Sequence, residues 1–186
     1  MTDNDEFITK RLSRLGQAGP VTSESYETLL KKLIAEKKIG KVLGPFAAPT
    51  KWGAQAHLPD GCGPSLCPAP ADNECYPSIA FPIDQQGSDG KPKTRRGEDW
   101  KRSFHNRLAH TSDKPVHHTV DYYLQGARIL HSLGLENLQL WGNDHEGAYR
   151  QFPARPQDLM WAVLEGEGNF SLWKHCVMVF GSKAAV

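Results

Sequence analysis

The residues best suited to chemistry lie in the segment LQLWGNDHEGAYRQFPARPQD, where an apolar stretch runs into Asp144. A carboxylate at the end of a β-strand can hold a hard cation well, because the sheet fixes its position. Mg²⁺ prefers oxygen ligands and usually takes one or two carboxylates together with phosphates and water. Gly147 and Ala148 leave space for a ligand, and the ring of Tyr149 could wall that space. The segment therefore makes Asp144 a candidate metal ligand, although a lone Asp at such a position is more typical of a plain strand-end or turn carboxylate.

A second group of candidate residues is the basic run from Lys91 to Arg102, which follows a turn signal at positions 88–90. We expect a hairpin whose returning strand carries positive charge. Arginine is suited to bidentate contact with phosphate. Glu98 and Asp99 offset part of the charge, and a run of this kind, taken alone, is more typical of a solvated strand face than of a nucleic-acid contact.

Three segments in this order resemble the reverse transcriptases of retroelements. The first palm motif of that family is an Asp, three variable residues, Ala and an aromatic residue, often continued by Arg-Gln-apolar-Pro and a Pro-x-Asp. Its counterparts here are Asp144, Ala148, Tyr149, Arg150, Gln151, Phe152, Pro153, Pro156 and Asp158. The upstream fingers block is matched by Lys93, Arg95, Glu98 (for an Asp of the family), Asp99 and Asn106. The downstream Phe-Gly block is matched by Phe180, Gly181, Ser182, Ala184 and Ala185.

The resemblance implies a role for each matched side chain. Asp144 would bind the catalytic metal ions at the tip of a central strand and face Arg95 across a cleft, and Tyr149 would exclude a ribose 2′-OH. Arg95, with Lys93, would clamp the incoming triphosphate. Further contacts would be made with the nucleotide or the template by Gln151, Phe180 and Gly181, and with nucleic acid by Arg96, Lys101 and Arg102.

The implied reaction is template-directed nucleotidyl transfer from dNTPs on an RNA or DNA primer–template. Two Mg²⁺ (or Mn²⁺) ions about 3.5–4 Å apart would activate the primer 3′-OH and stabilise the leaving pyrophosphate. The second acidic motif of the family, an aromatic-x-Asp-Asp turn, and the thumb would follow Val186. We therefore expect this chain alone to be an inactive fragment that binds no metal tightly.

Two alternatives to a polymerase fragment remain open. The first is a non-catalytic module that retains the nucleic-acid-binding surface of the fingers. The second is a small zinc-binding domain, whose ligands would be His57, Cys62, Cys67 and Cys75. The irregular spacing of these residues disfavours zinc and predicts free thiols on a flexible loop. The histidines at 105, 110, 117 and 118 lack a metal-binding pattern, and we expect them on the surface.

The elements that must position these residues alternate between helices and short strands. We predict a loose polar leader over 1–22, which could contain a short helix, and one partial domain over 23–186, divided into a helix (23–43), fingers (44–116) and a truncated early palm (117–186). Helices are expected at 23–40 and 119–133, and strands at 78–83, 138–141, 159–164 and 170–177, with Cys176 in the core. The turn residues at 166–169 should join the last two strands as a hairpin. The mixture predicts an α+β fold, and the resemblance implies an incomplete right-hand polymerase fold whose antiparallel sheet packs with helices.

Composition narrows the class of protein further. The 186 residues carry a formal net charge of +1, so the overall charge does not indicate a nucleic-acid-binding protein. No stretch approaches the roughly 18–20 apolar residues that cross a bilayer. The acidic start lacks the apolar core of a secretory signal, which predicts a cytoplasmic or nuclear protein with reduced cysteines. We expect poor solubility, because a truncated palm would expose a sheet edge and an apolar face.

Overall fold

The computed structural model describes residues 3–14, 23–87, 89–108, 119–139, 148–155, 160–166 and 168–179. Within these ranges the helices are α1 (Asp3–Leu12), α2 (Ser23–Lys38), α3 (His105–Leu108) and α4 (Val120–Ser132), with 3₁₀ helices at Thr50–Trp52 and Ala148–Gln151. The strands are β1 (Val42–Phe46), β2 (Pro77–Gln86), β3 (Pro92–Glu98), β4 (Trp161–Glu165) and β5 (Phe170–His175). The predicted α+β class is confirmed.

The five strands form one sheet in the order β1-β5-β4-β2-β3. The β2 and β4 strands pair in parallel, from Pro77 opposite Trp161 to Ala80 opposite Leu164, whereas the other neighbours are antiparallel. The sheet is therefore mixed, and the prediction of an antiparallel sheet was wrong. Both hairpins expected from the turn signals, β2–β3 and β4–β5, are present.

Each face of the sheet packs against a different helix. On the first face, Ile8 and Leu12 of α1 contact a buried cluster that also contains Trp52, Ile79, Trp161, Val163, Phe170 and Leu172. On the second face, Leu29 and Leu33 of α2 pack with Val42, Ala80, Leu164 and Trp173. Alternate residues of β2, β4 and β5 thus pack in one core or the other, as the two-residue period of a strand requires. We call these the α1 face and the α2 face.

The α2 helix forms as its sequence predicts. Glu24 lies in the first turn and Lys37 and Lys38 in the last, where each charge interacts favourably with the helix dipole. Gly40 follows with a φ of 73°, a left-handed conformation that ends the helix. Leu29 and Leu33, one turn apart, are fully buried against the sheet.

The start of the chain forms a helix that packs against the sheet. In α1, Ile8 is 1% exposed and Leu12 is 4% exposed. Two ion pairs join the helix to the rest of the protein, Lys51 to Asp5 at 2.9 Å and Arg11 to Glu165 at 2.6 Å. Within residues 3–14 the predicted leader is thus a helix that contributes to the core.

The long Gly- and Pro-rich segment after α2 is also packed. It begins with β1, and its backbone is joined to the sheet by a hydrogen bond from His57 to the Phe170 carbonyl (2.7 Å). Trp52, Cys62 and Cys75 in this segment are buried. The prediction of a flexible loop was therefore wrong, because these side chains cover the ends of both cores.

The predicted helix at 119–133 is confirmed as α4, but its apolar stripe is exposed in the described part of the protein. At the predicted strand 138–141, Leu138 and Gln139 are not in a strand, and the other two positions lie outside the described residues. Cys176 is partly exposed and follows β5 instead of lying within it. None of the described helices combines the length and apolarity needed to cross a membrane.

Candidate functional site

The β2–β3 hairpin carries the basic residues on one side only. Its register places Phe81 opposite Gly97, Ile83 opposite Arg95 and Gln85 opposite Lys93. Paired residues of antiparallel strands share a face. All of these residues therefore lie on the α1 face, because Ile79, two positions before Phe81 on β2, packs in the α1 core. We call the set Phe81, Ile83, Gln85, Lys93 and Arg95 the hairpin face.

Lys93 and Arg95 are exposed on the hairpin face. Within the described ranges neither forms an ion pair with a carboxylate. The amide oxygen of Gln85, in the orientation that satisfies both groups, accepts hydrogen bonds from Nε and Nη2 of Arg95 at 2.7 and 3.2 Å. A neutral amide thus orients the guanidinium and leaves its positive charge uncompensated.

Gly97 shapes the base of the hairpin face. A Cβ atom at this position would lie 2.8 Å from the Phe81 ring and 2.7 Å from Cδ1 of Ile83. Because glycine has no side chain, both apolar residues lie across the strand there, with about two fifths of each still exposed (39% and 38%). The result is an exposed apolar patch directly beside Arg95.

The opposite side of β3 carries a buried group of charged residues. This ion cluster consists of Glu36 from α2, Arg96 and Glu98 from β3, Arg150 from the Ala148–Gln151 helix and His175 from β5. Arg96 donates from Nε to Glu98 Oε1 (2.7 Å) and from Nη2 to Glu36 Oε2 (3.0 Å). Arg150 donates to both oxygens of Glu36, at 2.6 and 3.2 Å. Each arginine therefore has a carboxylate partner, and the formal charges of the cluster cancel.

The protonation of His175 follows from its neighbours. Nη1 of Arg150 lies 3.0 Å from Nδ1 of His175, and arginine can only donate, so Nδ1 accepts and the ring is neutral. The other ring nitrogen lies 3.2 Å from Glu98 Oε1 without the alignment of a hydrogen bond. Burial lowers the pKa of His175, and the adjacent arginines lower it further against the opposing effect of Glu98.

Glu98 remains ionised although it is buried. Burial alone would raise the pKa of its carboxyl group, but Arg96 and then His175 outweigh that effect and lower the pKa to about 2. For Arg96, burial lowers the pKa while Glu98 and Glu36 raise it by more. The two side chains therefore stay charged together at neutral pH.

A cavity of about 270 Å³ lies beside the hairpin face, between α1, β2 and the turn that follows β3. Phe7, Phe81 and Arg102 contribute to its lining. The guanidinium of Arg102 stacks 4.2 Å from the centre of the Phe7 ring, a cation–π contact. Arg11 also lines the cavity, but Glu165 neutralises it.

The structure separates the residues expected to contact phosphate and nucleic acid. Lys93 and Arg95 lie together on the hairpin face, Lys101 is exposed in the turn after β3, and Arg102 lies over Phe7. Arg96 departs from the expectation of an exposed nucleic-acid contact, because strand alternation turns its side chain (9% exposed) into the ion cluster.

The first palm motif is described only in part. Tyr149 and Gln151 are in the Ala148–Gln151 helix, and both are exposed, Tyr149 at 37%. Asp144, Phe180 and Gly181 lie outside the described residues, so the expected approach of Arg95 to Asp144 remains a prediction.

Sequence reasoning missed Glu36 and His175 and assigned no role to Arg150. One signal was available, because Arg96 and Glu98 are two positions apart and share a strand face. The contributions of α2, the Ala148–Gln151 helix and β5 come from distant parts of the chain, and their convergence on this strand had no local signature.

The cysteines and histidines do not form a metal site in the described part of the chain. No group of three or more His, Cys, Asp or Glu side chains converges there, and the four residues of the zinc alternative are all within it. Burial raises the pKa of the Cys62 and Cys75 thiols. His105 is half-buried beside Trp100, with ring centres 4.8 Å apart, and the other three histidines of the expected surface group lie outside the described residues.

Comparisons of the chain with protein-family models, with curated proteins and with solved structures found no match.

Proposed function

We propose that this chain carries the fingers and the first palm motif of a reverse-transcriptase-type polymerase, and that its hairpin face binds the phosphates of a primer–template or a dNTP. One observation supports the binding role most directly. Lys93 and Arg95 project together from an exposed strand face with their charges uncompensated by any described carboxylate. Arginine and lysine in such a position are suited to phosphate oxygens.

The charges around β3 favour an anionic ligand. The ion cluster is neutral in sum, so Arg96 adds no net charge, and the positive potential comes from the exposed residues. At Lys32 of α2, burial and then the charge of Lys93 lower the pKa, and Arg96 and Arg95 lower it further against the opposing effect of Glu36. A phosphate chain along the hairpin face would reduce this repulsion and release counterions from the nucleic acid.

The polymerase part of the proposal rests on the three ordered motifs. Asp144 would supply a carboxylate for two Mg²⁺ (or Mn²⁺) ions, and Tyr149 would discriminate against a ribose 2′-OH. Among the described residues, no group of three or more His, Cys, Asp or Glu side chains converges to hold a metal ion. The activity that we propose for the hairpin face is binding.

The proposal is tested by fluorescence anisotropy with a labelled RNA–DNA primer–template from about 50 to about 200 mM salt. Wild type should bind more weakly as salt rises. Lys93→Ala with Arg95→Ala should weaken binding and reduce the slope of log K against log salt by about 2, one for each lost phosphate contact. The matched control is Lys31→Ala with Lys38→Ala, which removes the same charge from exposed positions of α2.

The control variant should bind as wild type does. Undetectable binding by wild type at low salt would contradict the proposal, as would equal weakening by both double variants. Asp144→Asn distinguishes a metal-dependent nucleotide site from a surface that only binds nucleic acid. A metal site at Asp144 predicts Mg²⁺-dependent dNTP binding that this variant loses, whereas a retained nucleic-acid surface predicts unchanged binding.

A further inference from the structure

We infer that the cavity beside the hairpin face receives an unpaired nucleobase of the strand whose phosphates the hairpin face binds. This inference rests on the proposed function, because it assigns the phosphates of that strand to Lys93 and Arg95. It adds a base-binding site formed by α1, β2 and the turn after β3. The α1 helix has no part in the three polymerase motifs.

The cavity and the hairpin face are continuous on the α1 face of the sheet. Ile79 and Phe81 line the cavity, and Phe81 is also part of the hairpin face. The ring of Phe81 lies beside Gly97, which is two residues beyond Arg95 on β3. At about 3.3 Å per residue, Arg95 is about 7 Å along the strand from the edge of the cavity, and about two nucleotides of a stacked strand span this distance.

Arg102 and Phe7 form a flat surface at the cavity. Cζ of Arg102 lies 4.2 Å from the centre of the Phe7 ring. Arg102 is exposed, and within the described ranges its guanidinium has no carboxylate partner. Nucleobases stack on aromatic rings and on the planes of arginine guanidinium groups. The pair therefore has the chemistry that holds an unstacked base.

Polar groups at the cavity are suited to the edge of a base. Asn4, Asp99 and Ser103 line it together with apolar side chains. Asp99 is exposed, and its Oδ1 accepts a hydrogen bond from the backbone N–H of Arg102 at 2.9 Å, which orients the carboxylate. A carboxylate can accept several hydrogen bonds and pairs with the amino groups of bases. Asp99 thus offers an acceptor beside the stacking surface.

The size and charge of the cavity favour a base as its occupant. Its volume of about 270 Å³ is just below the range of about 300–1,000 Å³ typical of sites for drug-sized ligands, so it fits one flat ring system better than a whole nucleotide. Arg11 adds no net charge, because Glu165 pairs with it at 2.6 Å. The uncompensated positive charges are those of Arg102 and, on the hairpin face, Lys93 and Arg95, which favour a ring linked to phosphates.

The test is fluorescence anisotropy of the whole chain with two RNA–DNA primer–templates of equal length and charge. One has a single-stranded template overhang with its bases, and the other has an abasic overhang with the same number of phosphates. The variants are Arg102→Lys, which keeps the charge and removes the flat guanidinium, and Phe7→Leu, which removes the ring. The control is Lys101→Gln, which removes the charge of an exposed neighbour that does not line the cavity.

Wild type should bind the overhang with bases at least about fivefold more tightly than the abasic one, the lower limit expected for stacking one base. Arg102→Lys and Phe7→Leu should reduce this ratio to less than about twofold. Arg102→Lys should bind the abasic substrate as wild type does, and its exposed position keeps it informative if Phe7→Leu fails to fold. Lys101→Gln should weaken both substrates by one factor and keep the ratio. Intermolecular NOEs between base protons and the methyl groups of Ile79 should locate the base in the cavity.

Other outcomes overturn the inference. If wild type binds both substrates equally, and Lys93→Ala with Arg95→Ala weakens both, the cavity holds no base and the phosphate-binding hairpin face is retained. If Arg102→Lys and Phe7→Leu both keep the wild-type ratio, the base binds elsewhere. If wild type binds neither substrate, or binds both independently of Lys93 and Arg95, the proposed function fails and the inference fails with it.

Discussion

Arg95 and Arg96 are adjacent in the sequence and lie on opposite faces of the β-sheet. Arg95 is exposed and pairs across the strand with Ile83, whereas Arg96 is buried between Glu36 and Glu98. The two-residue period of β3 places the two arginines on opposite faces, so they have different roles. Arg95 is available to a ligand, and Arg96 organises the protein beneath it.

Replacing the two arginines by methionine should therefore give different results. Arg96→Met should lower the free energy of unfolding by about 3–5 kcal/mol, because Glu98 stays buried without its main partner. Arg95→Met should change it by no more than about 0.5 kcal/mol. Urea denaturation measures both values. Similar losses in the two variants would contradict this division.

Acid should destabilise the protein in two stages that both involve the ion cluster. The pKa of His175 is lowered from its ordinary value of 6.5, so only the unfolded state takes up that proton as pH falls below 6.5, and stability declines. The pKa of Glu98 is lowered from 4.5 to about 2. Its contribution, about 3 kcal/mol, is therefore complete above pH 4.5 and is lost as pH falls toward 2.

The second stage is tested with Glu98→Gln, measured beside wild type from neutral to acidic pH. The difference in unfolding free energy should be largest near neutral pH and shrink below pH 4.5, because the unfolded wild type then takes up a proton at Glu98 while the folded protein does so only near pH 2. Glu27→Gln, at an exposed position, should show no such change. A difference that stays constant down to pH 2 would show that the charge of Glu98 does not stabilise the folded protein.

Truncating Ile8 should reveal whether α1 belongs to the core. Ile8 is 1% exposed, and Ile8→Ala should cost about 2–5 kcal/mol, since it removes buried methyl groups and leaves a cavity. Ile39→Ala is the matched control, at a side chain that is 67% exposed, and should cost no more than about 0.5 kcal/mol. Thermal denaturation of both variants measures the two losses of unfolding free energy. Equal and small losses would show that residues 3–14 do not contribute to the core.

Two glycines of the sheet should respond differently to alanine. Gly44 has a φ of 127°, and a Cβ there would lie 2.9 Å from the carbonyl oxygen of Leu172, which is backbone and cannot move aside. Gly44→Ala should cost at least about 2 kcal/mol. Gly97→Ala meets only the ends of the Phe81 and Ile83 side chains, which can turn outward, and should cost about 1 kcal/mol or less. Chemical denaturation of both variants distinguishes the two cases, and a larger loss at Gly97 would contradict the account.

Sequence periodicity predicted the elements whose signals are local. The α2 helix has charges suited to both its ends and a glycine after it, and the β2–β3 and β4–β5 hairpins have turn residues between strand-forming runs. The β1 strand was not predicted, because its five residues include Gly44 and Pro45, which are poor strand formers, and only its pairing with β5 makes it a strand. The parallel pairing of β2 with β4 joins residues about eighty positions apart and had no local sign.

The candidate site, like the fold, could be predicted from the sequence only in part. The exposure of Lys93 and Arg95 could be predicted from the turn and the basic run, because a hairpin places alternate residues on one face. The ion cluster could not, because burial of Arg96 depends on Glu36 and Arg150, which lie 60 and 54 positions away in the chain. Charged side chains are usually read as solvated, and only tertiary contacts identify the exceptions.

Chemical-shift mapping with a short RNA–DNA primer–template locates the bound ligand on the protein and so tests whether the hairpin face binds it. We expect the largest changes in ¹⁵N–¹H resonances on the hairpin face, at Gln85, Lys93 and Arg95, and little change in the side chain Nε–H of Arg96. Changes confined to residues away from the β2–β3 hairpin, or none at low salt, would contradict it.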